Sequence, residues 1–444
     1  MRKNSLEIEY VSLASLHENP RSARRHSKKK LAQLTESIRA LGFNVPLIIA
    51  DDGTILAGHA RAAAAKLAGM DEVPVVRARH LSEVQQRAFM LADNKFALNA
   101  CWDFELLADE LSELVEVGFE AVLTGFSQTE IDLTICSAEE AKAVKEARSP
   151  ENLVPEPPST PVTRRGDVWQ LGRHRVMCGD ARNQACYTRI LEGQRADIVV
   201  TDPPYNVAIP GNVSGLGKVV HDNFAMASGE MSDEQFTTFL TQTLCLAAHS
   251  CRDGAIAFVW MDWRHTSELI DAGRAAFSEL KNICVWNKIR AGMGAFYRSQ
   301  HEFVFVFKVG TAPHTNNFGL GETGRHRSNV WDCHGVNALI AEGAEALEMH
   351  PTVKPVSLIV DALLDCSRRG QIVLDPFGGS GSTLIAAQKC GRIARLIEYE
   401  PRYCDTIIAR FEKYTGERAV LVATGQTFED VGEERAAEAQ GEAA

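Results

Sequence analysis

The chain has 444 residues, of which 45% are hydrophobic and 24% charged, and its formal net charge is −11. This composition is typical of a globular protein with two or three domains, and no apolar run approaches the roughly 18 residues of a membrane span. The N-terminus shows no signal-peptide pattern, and the eleven cysteines form no C-x-x-C pair. We therefore expect a cytoplasmic protein with reduced thiols, no membrane contact and no metal site.

Residues 1–136 combine strand patterns with helical ones. The stretch from Val45 to Gly69 predicts two strands around an Asp-Gly turn, followed by a helix that begins near Gly58 and ends at Gly69. Helical patterns follow at 82–98 and 104–118. The basic cluster at 21–30 is as typical of a solvated face as of a DNA contact.

Two segments lack the pattern of a folded domain. Residues 137–165 lose apolar periodicity and contain Pro155, Pro157, Pro158 and Pro161, which predicts a semi-extended linker. Residues 426–444 are acidic and poor in large apolar side chains, which predicts a disordered tail.

Residues 166–425 alternate strand and helix patterns. This alternation predicts an α/β fold with a doubly wound, mostly parallel sheet, preceded by the smaller α+β domain. Such sheets bind ligands at the carboxyl ends of their strands. Acidic residues follow or end four of the predicted strands, at Asp180, Asp202, Asp375 and Glu398.

A glycine-rich turn, "DPFGGSGST" (Asp375–Thr383), joins a strand to a helix. Its small residues let a ligand approach the backbone and the helix N-terminus. The turn has no lysine, as a phosphate-binding P-loop requires, and it lacks the third glycine of the dinucleotide fingerprint. A nucleoside with a small anionic group, such as S-adenosylmethionine, remains, and a purely structural turn is the alternative. Glu398 is placed like the acid that binds ribose hydroxyls.

The sequence "TDPPYN" (Thr201–Asn206) interrupts an apolar run with an acid, two prolines and an aromatic ring. The prolines fix a backbone carbonyl next to Asp202, so two acceptors lie side by side. Two acceptors match an amino group with two hydrogens, and Tyr205 offers a face for stacking a base. The set fits the exocyclic amine of adenine or cytosine, whereas an isolated Pro-Pro turn is the alternative.

Together these motifs resemble those of the amino-methylating DNA methyltransferases, over roughly 166–425. The order of the motifs, and "HPTVKP" at 350–355, resemble the permuted β group. The resemblance implies methyl transfer from S-adenosylmethionine to adenine N6 in double-stranded DNA, by base flipping and direct displacement. Cytosine N4 is the alternative. Cytosine C5 is disfavoured because no Pro-Cys pair is present.

The resemblance also implies the site residues. The residues that hold the target base are Asp202, Pro203, Pro204 and Tyr205. The residues that hold the cofactor are Asp180, Lys354, Asp375, Phe377, Gly379, Gly381, Ser382, Thr383 and Glu398. Target recognition is expected within 289–345, and a mobile loop at 211–223 is expected to close over DNA.

The first part, 1–136, resembles the ParB/sulfiredoxin-like domain through "ENPRSARR", "DGTILAGHARAAAAKLAG" and "VPVV". ParB proteins carry Gly-Glu-Arg-Arg where this chain has Gly-His-Ala-Arg at 58–61, which argues against nucleotide hydrolysis. Arg61 remains as a phosphate contact. We expect a DNA-binding or specificity module, with a structural or dimerising role as the alternative.

A different class of function is a ParB-like DNA-binding regulator with a non-catalytic methyltransferase domain. Intact Asp202, Tyr205 and Phe377 favour the enzyme. A second copy of the chain and a companion restriction endonuclease are its candidate partners, and a nucleoid-associated protein of a prokaryote or phage is the expected setting.

Overall fold

A computed structural model of the chain describes residues 6–22, 26–99, 102–145, 151, 154–207, 229–289, 296–318, 327–333 and 353–442. Its internal contacts divide the chain into two compact units, Met1–Ala138 and Glu139–Ala444. The first unit therefore ends within two residues of the boundary predicted at 136.

The first unit contains a four-stranded sheet. Its strands are β1 (Ile8–Ser12), β2 (Leu47–Ile49), β3 (Ile55–Ala57) and β4 (Glu72–Arg77), in the order β1-β4-β2-β3. β4 pairs antiparallel with β1 and parallel with β2, and β2 and β3 form the predicted hairpin. Helices α1 (Lys28–Leu41) and α2 (His59–Ala68) pack on each other. Apolar residues of α2 complete a core with the sheet.

Helix α2 begins and ends at glycines, as predicted. Gly58 and Gly69 have left-handed backbone angles, with φ of 100° and 79°. A β-carbon at Gly58 would lie 2.6 Å from Cδ2 of Leu47. Because that distance is impossible without rearrangement, glycine is required where the chain passes from β3 into α2.

Three helices follow β4: α3 (Glu83–Asn99), α4 (Phe104–Glu116) and α5 (Gln128–Lys145). The Asp103 carboxylate caps α4 by accepting from the amides of Glu105 and Leu106. Leu107 and Leu111 of α4 share a core with Ile131 and Ile135 of α5. Helix α5 continues to Lys145, so the linker predicted from residue 137 is wrong in its first part.

The second part of the predicted linker is attached to the second unit. The amides of Val162 and Thr163 donate to the Asp405 carboxylate at 2.6 and 3.0 Å. Arg402 Nε donates to the Pro158 carbonyl at 2.8 Å. Prolines leave few amides to satisfy in this segment, and Asp405 accepts from two that remain, so an irregular backbone is held in one place.

The second unit contains a ten-stranded mixed sheet and seven α-helices among the described residues. The strands are β5 (Val168–Leu171), β6 (His174–Cys178), β7 (Ala196–Thr201), β8 (Cys251–Met261), β9 (Glu279–Asn287), β10 (His301–Lys308), β11 (Val330–Asp332), β12 (Ile372–Asp375), β13 (Ile393–Glu398) and β14 (Val420–Leu421). The helices are α6 (Gln184–Leu191), α7 (Asp233–His249), α8 (Thr266–Ala276), α9 (Val356–Cys366), α10 (Ser382–Lys389), α11 (Pro401–Thr415) and α12 (Phe428–Glu442).

The strand order is β11-β9-β10-β8-β7-β12-β13-β6-β5-β14. The five central strands, from β8 to β6, are mutually parallel, and β10 pairs antiparallel with both β8 and β9. The predicted α/β class is confirmed. Parallel strands are buried on both faces, which explains their nearly continuous apolar runs.

The carboxyl ends of β7, β12 and β13 lie side by side in this sheet. β7 ends at Thr201, directly before Asp202, and β12 and β13 end at Asp375 and Glu398 themselves. Two motifs separated by about 170 residues in the sequence therefore meet at one edge, because β7 and β12 are neighbours.

The predicted disordered tail is wrong for most of its length, because residues Phe428–Glu442 form helix α12. Val431 is buried, and the Phe428 ring meets the buried Trp169 ring edge-on, with centroids 5.2 Å apart. Arg435 donates to Asp167 at 2.6 Å. One helical face at a spacing of three and four residues thus contacts the rest of the second unit, although the composition of the segment is polar.

The helices within the described part of the chain include none that combines the length and apolar character needed to cross a membrane. Nine of the eleven cysteines, those from Cys178 to Cys404, are free thiols.

Candidate active site

The motif that follows β7 is held by its own last residue. Asn206 is buried and has a positive φ of 54°. Its Oδ1 accepts from the amides of Gly229 and Met231, and its Nδ2 donates to the Met231 carbonyl at 2.9 Å. The amide side chain thereby ties the end of the diproline turn to the start of the next described segment, which fixes the direction of Tyr205.

Asp202, Tyr205 and Lys354 form one hydrogen-bonded group. The Tyr205 hydroxyl donates to Asp202 Oδ1 at 2.5 Å, and Lys354 Nζ donates to Asp202 Oδ2 at 2.5 Å. Lys354 Nζ also lies 3.0 Å from the Tyr205 hydroxyl oxygen. Lys354 was expected to hold the cofactor, whereas its ammonium directly contacts the Asp202 carboxylate.

A second acid, Glu302, completes the group from strand β10. Glu302 Oε2 lies 3.1 Å from Lys354 Nζ and 3.2 Å from the Tyr205 hydroxyl oxygen. Glu302 Oε1 accepts from Lys288 Nζ at 2.5 Å. Asp202, Glu302, Lys288 and Lys354, which we call the charge cluster, therefore bring two carboxylates and two ammonium groups around one tyrosine.

The buried position of the charge cluster shapes its ionisation. Burial raises the pKa of Asp202, and the Lys354 ammonium acts in the opposite direction. Burial also acts against charge on Glu302, but Lys354 and Lys288 outweigh it and lower the pKa of Glu302 to about 2. Burial, with the neighbouring carboxylates, raises the pKa of Tyr205 well above its usual range. Glu302 is therefore an anion and Tyr205 a neutral hydrogen-bond donor at neutral pH.

The acid of the glycine turn, Asp375, joins the two motifs. Its Oδ1 accepts from the Thr201 hydroxyl at 2.9 Å and from the Phe377 amide at 3.1 Å, and its Oδ2 accepts from the Thr383 hydroxyl at 2.6 Å. Burial raises the pKa of Asp375 to about 7. Asp375 and Thr383 thus fix the glycine turn against the end of β7.

Glu398 supports the same turn from the other side. Its Oε2 accepts from the Gly379 amide at 2.7 Å, and its Oε1 accepts from the Glu400 amide at 2.8 Å. Burial raises the pKa of Glu398 to about 7. Each carboxylate oxygen has a second lone pair, so both can accept a further hydrogen bond from a ligand.

One cavity connects the two motifs. It is lined by most of the predicted site residues: Asp202, Pro203, Pro204, Tyr205, Lys354, Asp375, Phe377, Gly379, Ser382, Thr383 and Glu398. Its wall also contains residues that the sequence analysis did not select, among them Phe239, Trp260, Tyr399 and Tyr403. Within the described part of the chain, the buried indole Nε1 of Trp260 has no hydrogen-bond partner.

Two predicted cofactor residues lie outside the wall of this cavity. Asp180 accepts a forked hydrogen bond from Arg182, through Nε and Nη2. Gly381 is the left-handed residue that begins α10, with φ of 82°, and a β-carbon there would lie 3.1 Å from Ile407 Cγ1. Gly381 therefore shapes the turn, while Gly379 faces the cavity.

Glu302 and Lys288 are not among the site residues expected from the sequence. Glu302 lies on β10, inside the range 289–345 expected to recognise the target, and Lys288 immediately precedes that range. Lys288 directly follows β9, and Glu302 is the second residue of an otherwise apolar β10. An acidic residue in a strand that is otherwise apolar indicates a functional position. That Lys354 is the partner of Glu302 is known only from the fold.

Several expectations lie partly or wholly outside the described residues. The loop predicted at 211–223 does so completely. The target-recognition range 289–345 is described only at 289, 296–318 and 327–333, where it includes β10 and β11. In the first unit, Lys28, Lys29 and Lys30 are exposed in the first turn of α1. Arg61 donates to the Pro46 carbonyl at 3.3 Å and is partly buried.

Three family models match successive parts of the chain. Residues 196–410 match the N6/N4 family described as DNA methylase. Residues 105–165 match the ParB-methyltransferase helix-turn-helix domain, and residues 2–95 match the ParB N-terminal domain. The helix-turn-helix match covers α4, α5 and the segment that the sequence analysis interpreted as a linker.

Curated relatives match the two ends separately. The ParB-like nuclease domain-containing protein YnaK of Escherichia coli (strain K12) is 40% identical over 82 residues, which are 18% of this chain and 94% of YnaK. The DNA adenine methyltransferase YhdJ of the same organism is 24% identical over 265 residues, 53% of this chain and 84% of YhdJ. Among solved structures, the M1.HpyAVI–SAM complex is 19% identical, with a TM-score of 0.39, and covers 53% of this chain and 97% of its own.

The motif order, the shared cavity and the family matches agree with one another. Residues 196–410 therefore form a domain of the N6/N4 DNA methylase family, which implies S-adenosylmethionine as cofactor and DNA as partner, and the chain carries a ParB N-terminal domain and a ParB-methyltransferase helix-turn-helix domain ahead of it.

Proposed function

We propose that the protein transfers a methyl group from S-adenosylmethionine to the exocyclic N6 of adenine in double-stranded DNA. The observation that carries the proposal is the cavity in which Asp202, the Pro203 backbone and Tyr205 meet the glycine turn and Glu398. The adenine preference is supported by the Asp-Pro-Pro-Tyr sequence and by the similarity to the adenine methyltransferase YhdJ.

The glycine end of the cavity fits the cofactor. A β-carbon at Gly379 would meet only the Phe377 carbonyl oxygen, at 3.9 Å, so the backbone there faces open space that a side chain would fill. The Glu398 carboxylate can accept from ribose hydroxyls. Phe377 packs on Phe239, with ring centroids 5.9 Å apart, and offers an apolar wall to the nucleoside. When bound, S-adenosylmethionine supplies an electrophilic methyl group on a positively charged sulfur.

The diproline end fits an exocyclic amine. Asp202 Oδ1 and Oδ2 each accept one bond within the protein and keep one lone pair for the amine. Pro203 is buried and its fixed backbone presents the second acceptor. Hydrogen bonds to both amine hydrogens direct the nitrogen lone pair towards the methyl group, and positioning of this kind is the main source of the rate enhancement.

The target adenine reaches this cavity only after it leaves the base stack of the duplex. The Tyr205 ring, whose hydroxyl is fixed by Asp202, provides a stacking surface for the flipped base. The nitrogen would form one bond to the methyl carbon while the carbon–sulfur bond of the cofactor breaks and the neutral thioether leaves, and Asp202 lies where it can accept the proton that the nitrogen loses. The reaction is then a single direct displacement.

The first unit is proposed to contact DNA. The exposed lysines at the start of α1 and the match of 105–165 to a helix-turn-helix domain support this role. A homodimer and a companion restriction endonuclease stay proposals for which the described residues offer no specific argument.

The test uses the purified full chain, labelled S-adenosylmethionine and duplex DNA of mixed sequence, with mass analysis of the nucleosides. We expect N6-methyladenine, and we expect Asp202→Ala to lower the transfer rate by at least about 100-fold, since it removes an acceptor aimed at the reacting group. Asp271→Ala, a change of an exposed aspartate on α8, is the matched control and should keep the wild-type rate.

Two results would contradict the proposal. Appearance of N4-methylcytosine in place of N6-methyladenine would assign the alternative base. Absence of any transfer that depends on Asp202 would remove the enzymatic function and favour a DNA-binding regulator.

A further inference from the structure

The other members of the charge cluster affect the position and the ionisation of Asp202. We propose that Lys354 and Glu302 are positioning residues for methyl transfer: Lys354 holds Asp202 as an oriented carboxylate, and Glu302 holds Lys354. This inference rests on the proposed function, because it concerns the acceptor of the target amine. Neither residue is proposed to touch the base or the cofactor.

The hydrogen bonds of Lys354 support this assignment. An ammonium group has three hydrogens and no acceptor. Lys354 Nζ has three oxygen partners, at Asp202 Oδ2 (2.5 Å), Tyr205 Oη (3.0 Å) and Glu302 Oε2 (3.1 Å). All three hydrogens are therefore used within the site, and the side chain is only 8% exposed. An ammonium without a remaining donor fits a positioning role better than the cofactor contact expected from the sequence.

Glu302 fixes Lys354 from the opposite side. It arises from β10, whereas Asp202 follows β7 and Lys354 precedes α9, so three separate elements converge on one ammonium group. Glu302 is 14% exposed and accepts from Lys288 with its other oxygen. A buried lysine between two carboxylates is held in one geometry, whereas with a single partner it could follow Asp202 away from the cavity.

The charges of the cluster set the ionisation of Asp202. The titratable groups that act on Asp202 are Lys354, Glu302, Tyr205 and the Asp375 carboxyl of the neighbouring strand, and Lys288 contacts Glu302. Two ammonium groups balance the carboxylates of Asp202 and Glu302. Removal of one cation leaves the site negative and favours protonation of Asp202, whereas removal of the Glu302 charge leaves it positive and favours ionisation.

The experiment measures the pH profile of single-turnover methyl transfer by the full chain, at saturating S-adenosylmethionine and duplex DNA. The acidic limb reports the ionisation of Asp202, because the protonated carboxyl loses an acceptor. We expect Lys354→Met to move this limb to higher pH by about 1–3 units, the effect of one opposite charge in contact. We expect Glu302→Gln to move it to lower pH, with a slower plateau rate because Lys354 loses its second anchor.

The two variants are expected to shift the acidic limb of the pH profile in opposite directions. A purely structural role would lower the rate of methyl transfer without shifting this limb. Lys354→Arg keeps the cation and should restore the limb to within a few tenths of the wild-type pH. Lys281→Met and Glu279→Gln alter a charge pair at the other end of β9, with atoms 3.0 Å apart, and are the matched controls. Both should keep the wild-type profile.

Calorimetry of S-adenosylmethionine binding completes the design and reports folding as well. We expect the dissociation constants of Lys354→Met and Glu302→Gln to stay within about 3-fold of wild type. Limbs that do not move, or that move in the same direction, would overturn the proposal, as would a large loss of cofactor binding by Lys354→Met. A wild-type protein that transfers no methyl group would instead refute the proposed function, so the two failures are distinguishable.

Discussion

At the scale of single residues, two similar acids have different tasks. Asp375 and Glu398 both end a strand of the parallel sheet, and burial raises the pKa of each to about 7. The carboxylate of Asp375 accepts three bonds from Thr201, Phe377 and Thr383. Glu398 accepts from the amides of Gly379 and Glu400 and, like Asp375, lines the cavity. Asp375 is therefore best suited to hold the turn and Glu398 to bind a ligand.

Glu398 makes cofactor affinity depend on pH. An ionised carboxylate accepts hydrogen bonds from ribose hydroxyls more strongly than a protonated one, so we expect affinity for S-adenosylmethionine to fall as the pH drops below about 7. Glu398→Gln should bind about 10- to 100-fold more weakly at high pH and lose this pH dependence. Calorimetric titration with S-adenosylmethionine, at pH values above and below 7, measures the two affinities. The exposed Glu417→Gln is the control, and a pH-independent wild-type affinity would contradict the prediction.

The raised pKa of Glu398 also makes the free energy of unfolding depend on pH. The folded protein keeps the proton of Glu398 up to about pH 7, whereas the ordinary carboxyl loses it near 4.5. The folded state therefore binds more protons than the unfolded state between these values. The contribution of Glu398 to stability accordingly decreases as the pH rises through this window.

At the scale of elements, the glycine turn before α10 depends strongly on Gly381. Gly381 has a φ of 82°, and a β-carbon there would lie 3.1–3.2 Å from Ile407 of α11. Gly416, which ends α11, has a φ of 77°, but a β-carbon there would contact nothing within 4 Å. The two glycines share the backbone requirement and differ in their surroundings.

Gly381→Ala should therefore destabilise the protein more than Gly416→Ala. We expect about 1–2 kcal/mol for the left-handed backbone in both variants, with a further loss in Gly381→Ala because Ile407 must move. Chemical denaturation monitored by circular dichroism measures the difference. Equal losses would show that α11 yields to the added methyl group without strain.

At the scale of the whole molecule, the polar segments at both ends of the second unit are part of its fold. Residues 154–165 are held by Asp405 and Arg402 of α11, and α12 packs along β5. Val162 accepts from Arg435 at 2.6 Å, so the two segments also hold each other. The segment 154–165 and helix α12 are therefore both packed parts of the second unit and contact each other directly.

Deletion of α12 should consequently destabilise the catalytic unit. A chain that ends at Gly425 loses the contacts of Phe428, Val431 and Arg435, whereas a chain that ends at Glu438 keeps them. We expect the first to melt several degrees below wild type, since 1 kcal/mol corresponds to roughly 2–4 °C in a domain of this kind. The second should melt with the wild type. A disordered tail would leave both melting temperatures unchanged.

The sequence by itself determined the α/β class, the helix between Gly58 and Gly69, the glycine turn and the position of acids at strand ends. These features depend on local physics: φ restrictions at glycine and proline, and the periodicity of apolar residues. They sufficed to predict that Asp202, Asp375 and Glu398 lie at one edge of the sheet, because the topology of parallel sheets places strand ends together.

Only the tertiary structure decided which charges surround Asp202. Lys354 and Glu302 lie 152 and about 100 residues away in the sequence, and neither has a local pattern that reveals its partner. The tail was misjudged for the same reason, because its helix is stabilised by contacts with Trp169 and Asp167 and not by its own composition. Ionic and packing interactions between distant segments depend on distances in space, which only the folded chain provides.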